Sequence, residues 1–599
     1  MGYRPQGIIA EARRATTLTV AASDSKDKAR ADYVCDGVAD NVEIQAAIDA
    51  LPAAGGRVTL SEGKFVLAAQ VNLSNYVSVE GQGYSTEIEL ADKTLSGLSI
   101  DGLIGASIRN LRIDGIRAGT DSGAGQLTGL IRVVVVAVGG QCREITVENV
   151  WLENAYSVAI CANSGDLAGE VLEGVYYHNI HVRNCNWDLL ILGGDTAANR
   201  NRLVINGFFS EDTLQGVSCG TMNGCIFRNF YSTSSAVYGG VTLDSCRNFR
   251  FSGGNVISGS RALCIVAGSC TSYGISFEDY VVKGLITAYL ENGSYDIHDI
   301  KFENIRAEGG VAINFDFHTH ATPQAGATLH GLWLLDIHSE GATQRDFYIV
   351  GVAATPLNQV RLTRCTAKSS GSAENYTLTY IDDLEMIGCD GANGTNVVVA
   401  MTNCAVVRVI GGYYRNATGW NIDFDLSTVT HLVMTGVKCL GTRAVYERTA
   451  DDYNIYQGNN WRDITGLNQF LGAHNVYDLE IISTGLDLSG GATDLALFHA
   501  VKPCVLAGYH ILYSEASSAD AGVNVRVGRY QDGVALDDDY FDVEVSEASK
   551  NLGYAKYVPS ADLLIQKILA GDTVTVGTAG GKVGAGEVKV ILHIAEMAS

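Results

Sequence analysis

The chain has 599 residues, with 68 Gly against only 6 Pro and with 18% charged residues, so a disordered linker and a collagen-like repeat are both excluded. Its formal net charge of −24 argues against a nucleic-acid partner, because binding to phosphates depends on Lys and Arg. No apolar run reaches the roughly 18 residues of a membrane span, so we expect a packed, turn-rich soluble protein without membrane insertion.

The N-terminal segment "MGYRPQGIIAEARR" has no apolar core of signal-peptide length followed by a small-residue cleavage site. Secretion by that route is therefore not expected. Residues 1–30 are predicted to form an N-terminal arm that precedes the folded part of the chain.

A short amphipathic helix is predicted at about residues 41–51, within "DNVEIQAAIDALPAAGG". Asp40 is the expected N-cap residue, and Glu43 lies three positions later, where it would complete a capping box. Gly55 and Gly56 end the helix. The apolar residues recur at i, i+3, i+4 and i+7 and form one stripe, namely Ile44, Ala47, Ile48 and Leu51.

A phrase that places Asn, Asp or Gly between apolar residues recurs along the chain, as in "VENVWLEN" at 147 and "FENIRAEG" at 302. The apolar residues that follow the polar slot are 24 to 32 residues apart: Phe230, Val256, Tyr280, Ile305, Ile337, Cys365, Cys389, Tyr413 and Val437. Such a period indicates stacked units of short strands. One unit per coil predicts a parallel β-helix, in which stacking completes both the core and the strand ladders.

The polar slot predicts a left-handed turn, since Asn, Asp and Gly tolerate that conformation, and stacked Asn side chains can hydrogen-bond along the axis. Cys365 and Cys389 would then occupy equivalent inward positions one coil apart, as buried free thiols. None of the 14 cysteines forms a CxxC pair with metal-ligand spacing, so we expect no zinc site. No cofactor is predicted.

The repeat ends before the last part of the chain. From residue 480 to 599 the pattern changes to alternating strands separated by turns rich in Gly and Asp. This pattern predicts a separate C-terminal β-sandwich of roughly jelly-roll type. The β-helix itself is assigned to residues 31–465.

The succession of "DGVADNVEIQAAIDALPAAGGRVTLSEGKF", "VNLSNYVSVEGQGYSTEI" and repeated coils resembles the pectate-lyase-like superfamily, in particular its bacteriophage tailspike and tail-fibre members. The resemblance implies a right-handed parallel β-helix, with the helix at 41–51 capping its open end. It also implies a homotrimer that binds, and often cleaves, bacterial surface polysaccharide. Phage tail or capsid proteins would be its partners, and residues 1–14 the docking peptide.

Family hydrolases of the polygalacturonase type carry motifs that this chain lacks, and no calcium cluster with a basic partner is apparent. Tailspike-like hydrolysis instead needs two carboxylates on neighbouring coils, beside an aromatic side chain on which a sugar ring can stack. Asp188, Asp195, Glu211 and Asp212, close to Trp187, are the candidate catalytic and sugar-binding residues. The alternative is that these acids are ordinary turn residues on a solvated face.

A second candidate site lies at residues 315–341, where the long gap between coils indicates an inserted loop. His318 and His320 alternate along one strand, so they face the same side, and Trp333 follows. These three residues are candidate carbohydrate-binding groups. The alternative is a pair of polar residues on a solvent face.

The sequence thus predicts an all-β virion protein of tailspike or tail-fibre type that acts outside the cell on host polysaccharide. Whether it also acts as a glycoside hydrolase or polysaccharide lyase is left open. One alternative is a non-enzymatic structural or adhesive virion fibre, and a weaker one is a cellular polysaccharide lyase or hydrolase.

Overall fold

The computed structural model describes residues 16–447 with gaps at 118–127, 138, 164–169, 193–200, 235–238, 293–294, 309–311, 320–326, 369–373, 393–394 and 426–430; beyond residue 447 it describes the strands given below. The chain divides into two compact units. Unit 1 comprises residues 1–284 and 294–297, and unit 2 comprises residues 285–293 and 298–599.

Unit 1 contains one α-helix, α1 (Asn41–Asp49), and two 3-10 turns, Lys28–Arg30 and Gly83–Ser85, in its described part. Its strands are β1 (Thr16–Ala21), β2 (Tyr33–Val34), β3 (Gly56–Leu60), β4 (Gly63–Leu67), β5 (Val71–Asn72), β6 (Val77–Glu80), β7 (Thr86–Leu90), β8 (Leu98–Asp101), β9 (Ser107–Asp114), β10 (Gly129–Val134), β11 (Gln141–Glu153), β12 (Val158–Asn163), β13 (Val171–Arg183), β14 (Trp187–Leu192), β15 (Asn201–Thr213), β16 (Gln215–Gly220), β17 (Cys225–Ser234), β18 (Val241–Asp244), β19 (Arg250–Ser258), β20 (Arg261–Val266) and β21 (Ser272–Lys283).

Unit 1 is a stack of parallel coils, each of which contributes one long and one short strand. The long strands β9, β11, β13, β15, β17, β19 and β21 pair in that order, all parallel. The short strands β8, β10, β12, β14, β16, β18 and β20 form the second parallel series. Apolar side chains from both series fill the interior. The predicted all-β parallel β-helix is confirmed.

The polar slot of the repeat is where each long strand turns. Asn149 and Asn179 adopt φ values of 52° and 51°, and Gly207 occupies the equivalent position of the next coil with φ 74°. The Nδ2 amide of Asn149 donates to Oδ1 of Asn110 at 3.0 Å. The predicted left-handed turns and the Asn ladder are therefore confirmed.

Helix α1 packs against β1, β3, β4 and β5 and buries Ile44, Ala47 and Ile48. The predicted capping box is wrong. Asp40 precedes the helix, but its side chain makes no capping bond. Its Oδ1 instead accepts from the backbone N–H of Gly37, and its Oδ2 accepts from that of Val66, each at 2.7 Å. The role of the helix as a lid on the solenoid stays a prediction.

Unit 2 has no α-helix in its described part. Its strands are β22 (Ile286–Asn292), β23 (Ile297–Glu308), β24 (Ile313–Thr319), β25 (Leu329–Leu335), β26 (His338–Glu340), β27 (Arg345–Val350), β28 (Asn358–Thr363), β29 (Thr366–Ala367), β30 (Glu374–Thr379), β31 (Asp383–Ile387), β32 (Asp390–Ala392), β33 (Val397–Thr402), β34 (Val406–Ile410), β35 (Tyr413–Asp425), β36 (His431–Thr435), β37 (Lys438–Glu447), β38 (Asn454–Ile464), β39 (Asn468–Gln469), β40 (Asn475–Ser483), β41 (Leu486–Asp487), β42 (Thr493–His499), β43 (Cys504–Tyr513), β44 (Asn524–Gln531), β45 (Val534–Asp537), β46 (Val545–Ser546), β47 (Ala555–Val558), β48 (Lys567–Ile568), β49 (Asp572–Ala579) and β50 (Glu587–Glu596).

Unit 2 begins with parallel coils and ends with antiparallel strands. One parallel series runs through β22, β24, β27, β30, β33 and β35, and another runs through β25, β28, β31, β34, β36 and β38. Strand β50 pairs antiparallel with both β40 and β43, and β49 pairs antiparallel with β42 and β44. This change agrees with the predicted end of the repeat, while the jelly-roll assignment stays a prediction.

Two of the predicted repeat markers, Val256 and Tyr413, do not occupy the strand position that the other markers share. Gly254, rather than Val256, pairs with Phe230 and Tyr280. Tyr413 is 41% exposed, whereas the neighbouring Tyr414 is fully buried. Cys365 and Cys389 do occupy equivalent buried positions as free thiols, as predicted.

Among the described residues, none of the helices has the length and apolar character needed to cross a membrane.

Candidate functional site

The acid cluster predicted near Trp187 is divided between the interior and the surface. Asp188, on β14, is fully buried, and its Oδ2 accepts from Ser210 Oγ at 2.5 Å and from Thr213 Oγ1 at 3.4 Å. Burial raises the pKa of Asp188 to about 7. Trp187, beside it in sequence, is partly buried. Because Asp188 points into the coil, its carboxylate offers no surface on which a sugar could lie, and this position argues against a catalytic role.

The other members of the cluster lie at the end of β15. Glu211 and Asp212 are exposed. Asp212 has φ 56°, so it occupies a left-handed turn. The carbonyl of Glu211, which precedes it, accepts from the backbone N–H of Asn184. This geometry agrees with the alternative that Asp212 is a turn acid. Asp195 lies outside the described residues.

Four rings stack on the outer face of unit 1, one per coil, and we call them the outer aromatic column: Trp151, His181, Phe209 and Tyr231. Successive ring centroids are 5.6, 5.0 and 5.3 Å apart, with interplanar angles of 13°, 17° and 4°. Because the rings stack face to face, they leave mainly their edges for a ligand. Burial lowers the pKa of His181, and the nearby Glu211 opposes that shift. The column was not predicted from the sequence.

The structure describes two of the three residues of the second predicted site, His318 and Trp333. His318 Nδ1 lies 2.9 Å from Asp316 Oδ1. On its other side, Nε2 lies 3.5 Å from Tyr289 OH and 3.9 Å from Glu291 Oε1. Both ring nitrogens therefore have partners within β22 and β24.

The remaining residues of that site are not brought to His318. Trp333 belongs to β25, which pairs with β28 in a different strand series from β24. His320 lies outside the described residues. The predicted group of His318, His320 and Trp333 therefore stays a prediction for sugar binding, and its described members are not adjacent in strand pairing.

A groove on unit 2 brings together residues that sequence reasoning missed. It has a volume of about 480 Å³, and its lining includes Glu374, Trp420 and Asp423. Glu374 starts β30, and Trp420 lies two coils further on, in register with it through Val397. Asp423 is likewise in register with Ala400. The small Ala400 side chain, partly exposed, leaves the space in front of β33 open.

The charged side chains in the described lining of the groove are acidic, and neighbouring side chains hold Glu374 in place. Glu374 Oε2 lies 3.2 Å from Arg345 Nε and accepts from Thr377 Oγ1 at 2.5 Å. Asp423 is 5% exposed. The described lining otherwise has amide, hydroxyl and apolar side chains, and it contains no Lys or Arg. A site of this kind can stack the apolar face of a sugar on Trp420 and accept sugar hydroxyls with its carboxylates.

No protein-family model matches the chain, and no curated protein matches it. Similar solved structures include a tailspike protein mutant of Escherichia coli bacteriophage HK620 in complex with hexasaccharide. It is 11% identical with a TM-score of 0.37, over 94% of this chain and 91% of that chain. Another is a putative glycosyl hydrolase from Parabacteroides merdae, 17% identical with a TM-score of 0.21, over 37% of this chain and 90% of that one.

A third is the A-module of the mannuronan C-5 epimerase AlgE6 from Azotobacter vinelandii, 18% identical with a TM-score of 0.21, over 74% of this chain and 94% of that one.

Proposed function

We propose that the chain recognises a bacterial surface polysaccharide in the unit 2 groove. The observation that carries the proposal is that three residues line one open groove: Glu374 on β30, and Trp420 and Asp423 on β35, two coils further on. An aromatic ring beside hydrogen-bond acceptors is the combination that sugar recognition requires, because a sugar has an apolar face and a rim of hydroxyls.

The proposed biological setting is a virion protein of tailspike or tail-fibre type. Support comes from the resemblance of the first coils and the helix segment to that class. A homotrimer, attachment to phage tail or capsid proteins, and action outside the cell all belong to this proposal.

Titration with a panel of purified lipopolysaccharide O-chains, followed by intrinsic tryptophan fluorescence and calorimetry, tests the binding proposal. Trp420→Ala should weaken binding by about tenfold or more, which corresponds to about 1.4 kcal/mol for a lost stacking contact. Trp187→Ala is the matched control, since Trp187 lies in unit 1 outside the groove. Equal affinity of Trp420→Ala and the original chain would refute the groove as the binding site.

Cleavage of the bound polysaccharide is a second candidate function, favoured by the presence of two carboxylates in the same groove. Glycoside hydrolysis uses one carboxyl group as acid and a second as base or nucleophile. Reducing-end release should then be lost in both Glu374→Gln and Asp423→Asn, while oligosaccharide binding is retained. A polysaccharide that is bound but keeps its chain length would favour the alternative of a non-enzymatic adhesive fibre.

A further inference from the structure

Three potential metal ligands converge beside helix α1 in unit 1. The thiol of Cys35, which follows β2, and the carboxylates of Asp40 and Glu43, at the start of the helix, offer one ligand atom each, and these three atoms lie within 4.8 Å of one another. Sequence spacing alone does not reveal the group, because the residues belong to neither a CxxC pair nor a His-rich motif. The turn between β2 and α1 brings them together.

The state of the Cys35 side chain indicates a ligand. Cys35 is 4% exposed, and its thiol has no hydrogen-bond partner among the described residues, although a ligand oxygen of each carboxylate lies within 4.8 Å of it. One carboxylate oxygen of Glu43, Oε2, is also buried and has no hydrogen-bond partner. A buried carboxylate oxygen without a partner is uncommon in folded proteins and needs an explanation.

The carboxylate of Asp40 is held in place by the backbone. Asp40 is fully buried, and each of its oxygens accepts one backbone N–H, from Gly37 and Val66. A carboxylate oxygen has a second lone pair, so these bonds hold Asp40 in place without using up its capacity to coordinate.

We propose that Cys35, Asp40 and Glu43 bind a thiophilic divalent cation, with Zn²⁺ as the best match. A thiolate ligand excludes Mg²⁺ and Ca²⁺, which prefer all-oxygen sites. Zn²⁺ accepts mixed sulfur and carboxylate ligands in a tetrahedral arrangement, with metal–ligand distances of about 2.0–2.3 Å, and a water molecule would complete the four. On binding, the thiol loses its proton to solvent and the cation offsets the converging negative charges.

A metal at this point would have a structural effect that is separate from polysaccharide binding. Cys35 lies in the chain that leaves β2, while Asp40 and Glu43 belong to the start of α1. The cation would therefore fix the helix to the first strands of unit 1. Since a metal that binds only the folded state stabilises it, loading should raise the midpoint of thermal unfolding of unit 1.

Titration of the chelator-treated full chain with Co²⁺, a spectroscopic substitute for Zn²⁺, tests the proposal. One Co²⁺ per chain should bind with a near-ultraviolet thiolate-to-cobalt charge-transfer band, and Zn²⁺ should displace it. Cys35→Ser should lose the band. Glu43→Gln, which changes a carboxylate to an amide of the same shape, should weaken Co²⁺ binding by about tenfold or more.

The matched control is Cys439→Ser, which removes a buried free thiol from unit 2. Its Co²⁺ band and affinity should equal those of the original chain. Circular dichroism of each variant checks that it is folded, and Glu43→Gln keeps the test decisive if Cys35→Ser does not fold. Absence of the band in the original chain at saturating Co²⁺, or unchanged affinity in folded Glu43→Gln, would overturn the proposal.

Discussion

Asn179 donates its Nδ2 amide to Oδ1 of Asn149, which occupies the same position one coil away, at 2.9 Å. Both residues also have a left-handed backbone. One side chain thus serves two purposes, because it tolerates the turn and links adjacent coils. The two contributions can be separated by substitution.

Asn179→Ala should lower the free energy of unfolding by about 2 kcal/mol, since it loses a hydrogen bond and forces an alanine into the left-handed region. Asn179→Gly should cost less, because glycine adopts this backbone conformation without strain. Urea unfolding followed by circular dichroism measures both. His178→Ala, at the exposed neighbouring position, is the control. Equal losses for the Ala and Gly variants would show that backbone strain contributes little here.

This ladder could be predicted from the sequence because the turn favours Asn, Asp or Gly at one position of the coil, although Arg364 also occupies it, with φ 52°. The groove could not be predicted in the same way. Residues in register across the groove are 23 positions apart in sequence: Glu374, Val397 and Trp420. Neither Glu374 nor the second acid of the groove, Asp423, has a distinctive local motif. Their proximity depends on the register of three coils, which the degenerate later repeats leave uncertain by one position, as the marker at Tyr413 illustrates.

Asp188 illustrates a different limit of sequence reasoning. An Asp next to a Trp suggests a sugar site, yet Asp188 is one of four consecutive buried residues in β14, and hydroxyl groups of Ser210 and Thr213 donate to it. The same pattern of acids fits a surface cluster and a buried polar group. Only the position of the strand relative to the core separates these two interpretations.

Asp188 should make stability depend on pH. Its folded pKa of about 7 lies above the ordinary 3.8, so the folded state holds the proton more tightly. Asp188 therefore contributes most to stability below pH 3.8, and this contribution, on the order of 4 kcal/mol, is lost as the pH rises through about 7. Asp188→Asn removes this dependence, so the variant should be more stable than the original chain at pH 8.

Urea midpoints measured at pH 5, 6, 7 and 8 give the difference in stability between Asp188→Asn and the original chain. That difference should grow with pH. Glu211→Gln, an exposed neighbour in the same predicted cluster, should show no such growth. A stability difference for Asp188→Asn that is the same at every pH would contradict the burial of an ionisable carboxyl. Polysaccharide binding should be unchanged in both variants.

The outer aromatic column should contribute to stability more than to binding. Phe209 stacks on both His181 and Tyr231, and each aromatic pair contributes about 0.5–1.5 kcal/mol beyond area burial. Phe209→Ala should therefore destabilise the protein by about 1–3 kcal/mol, and Phe209→Leu by less, as measured by urea unfolding. O-chain affinity should stay within twofold of the original. A tenfold loss of affinity in folded Phe209→Leu would instead assign the column to sugar recognition.

Cys365 and Cys389 provide a test of the register in the coils that carry the groove. The two thiols lie at equivalent positions of adjacent coils, and each donates to a backbone carbonyl of the coil before it, that of Leu334 and that of Leu362. Burial, with a smaller contribution from Cys389, raises the pKa of Cys365 well above its ordinary value. Because both side chains are fully buried, neither should react with a disulfide reagent in the folded protein.

Mass spectrometry of the native chain after brief treatment with Ellman's reagent should find peptides containing Cys365 and Cys389 unmodified, and both should react in urea. Phe347→Ala, which removes a ring that stacks on Tyr376 in the same coils at 4.8 Å, should speed up their reaction by opening the core locally. Phe209→Ala is the control for general destabilisation, since Phe209 lies in unit 1. Rapid modification of either thiol in the native chain would contradict the inward register, and with it the strand alignment that brings Glu374 and Trp420 to one groove.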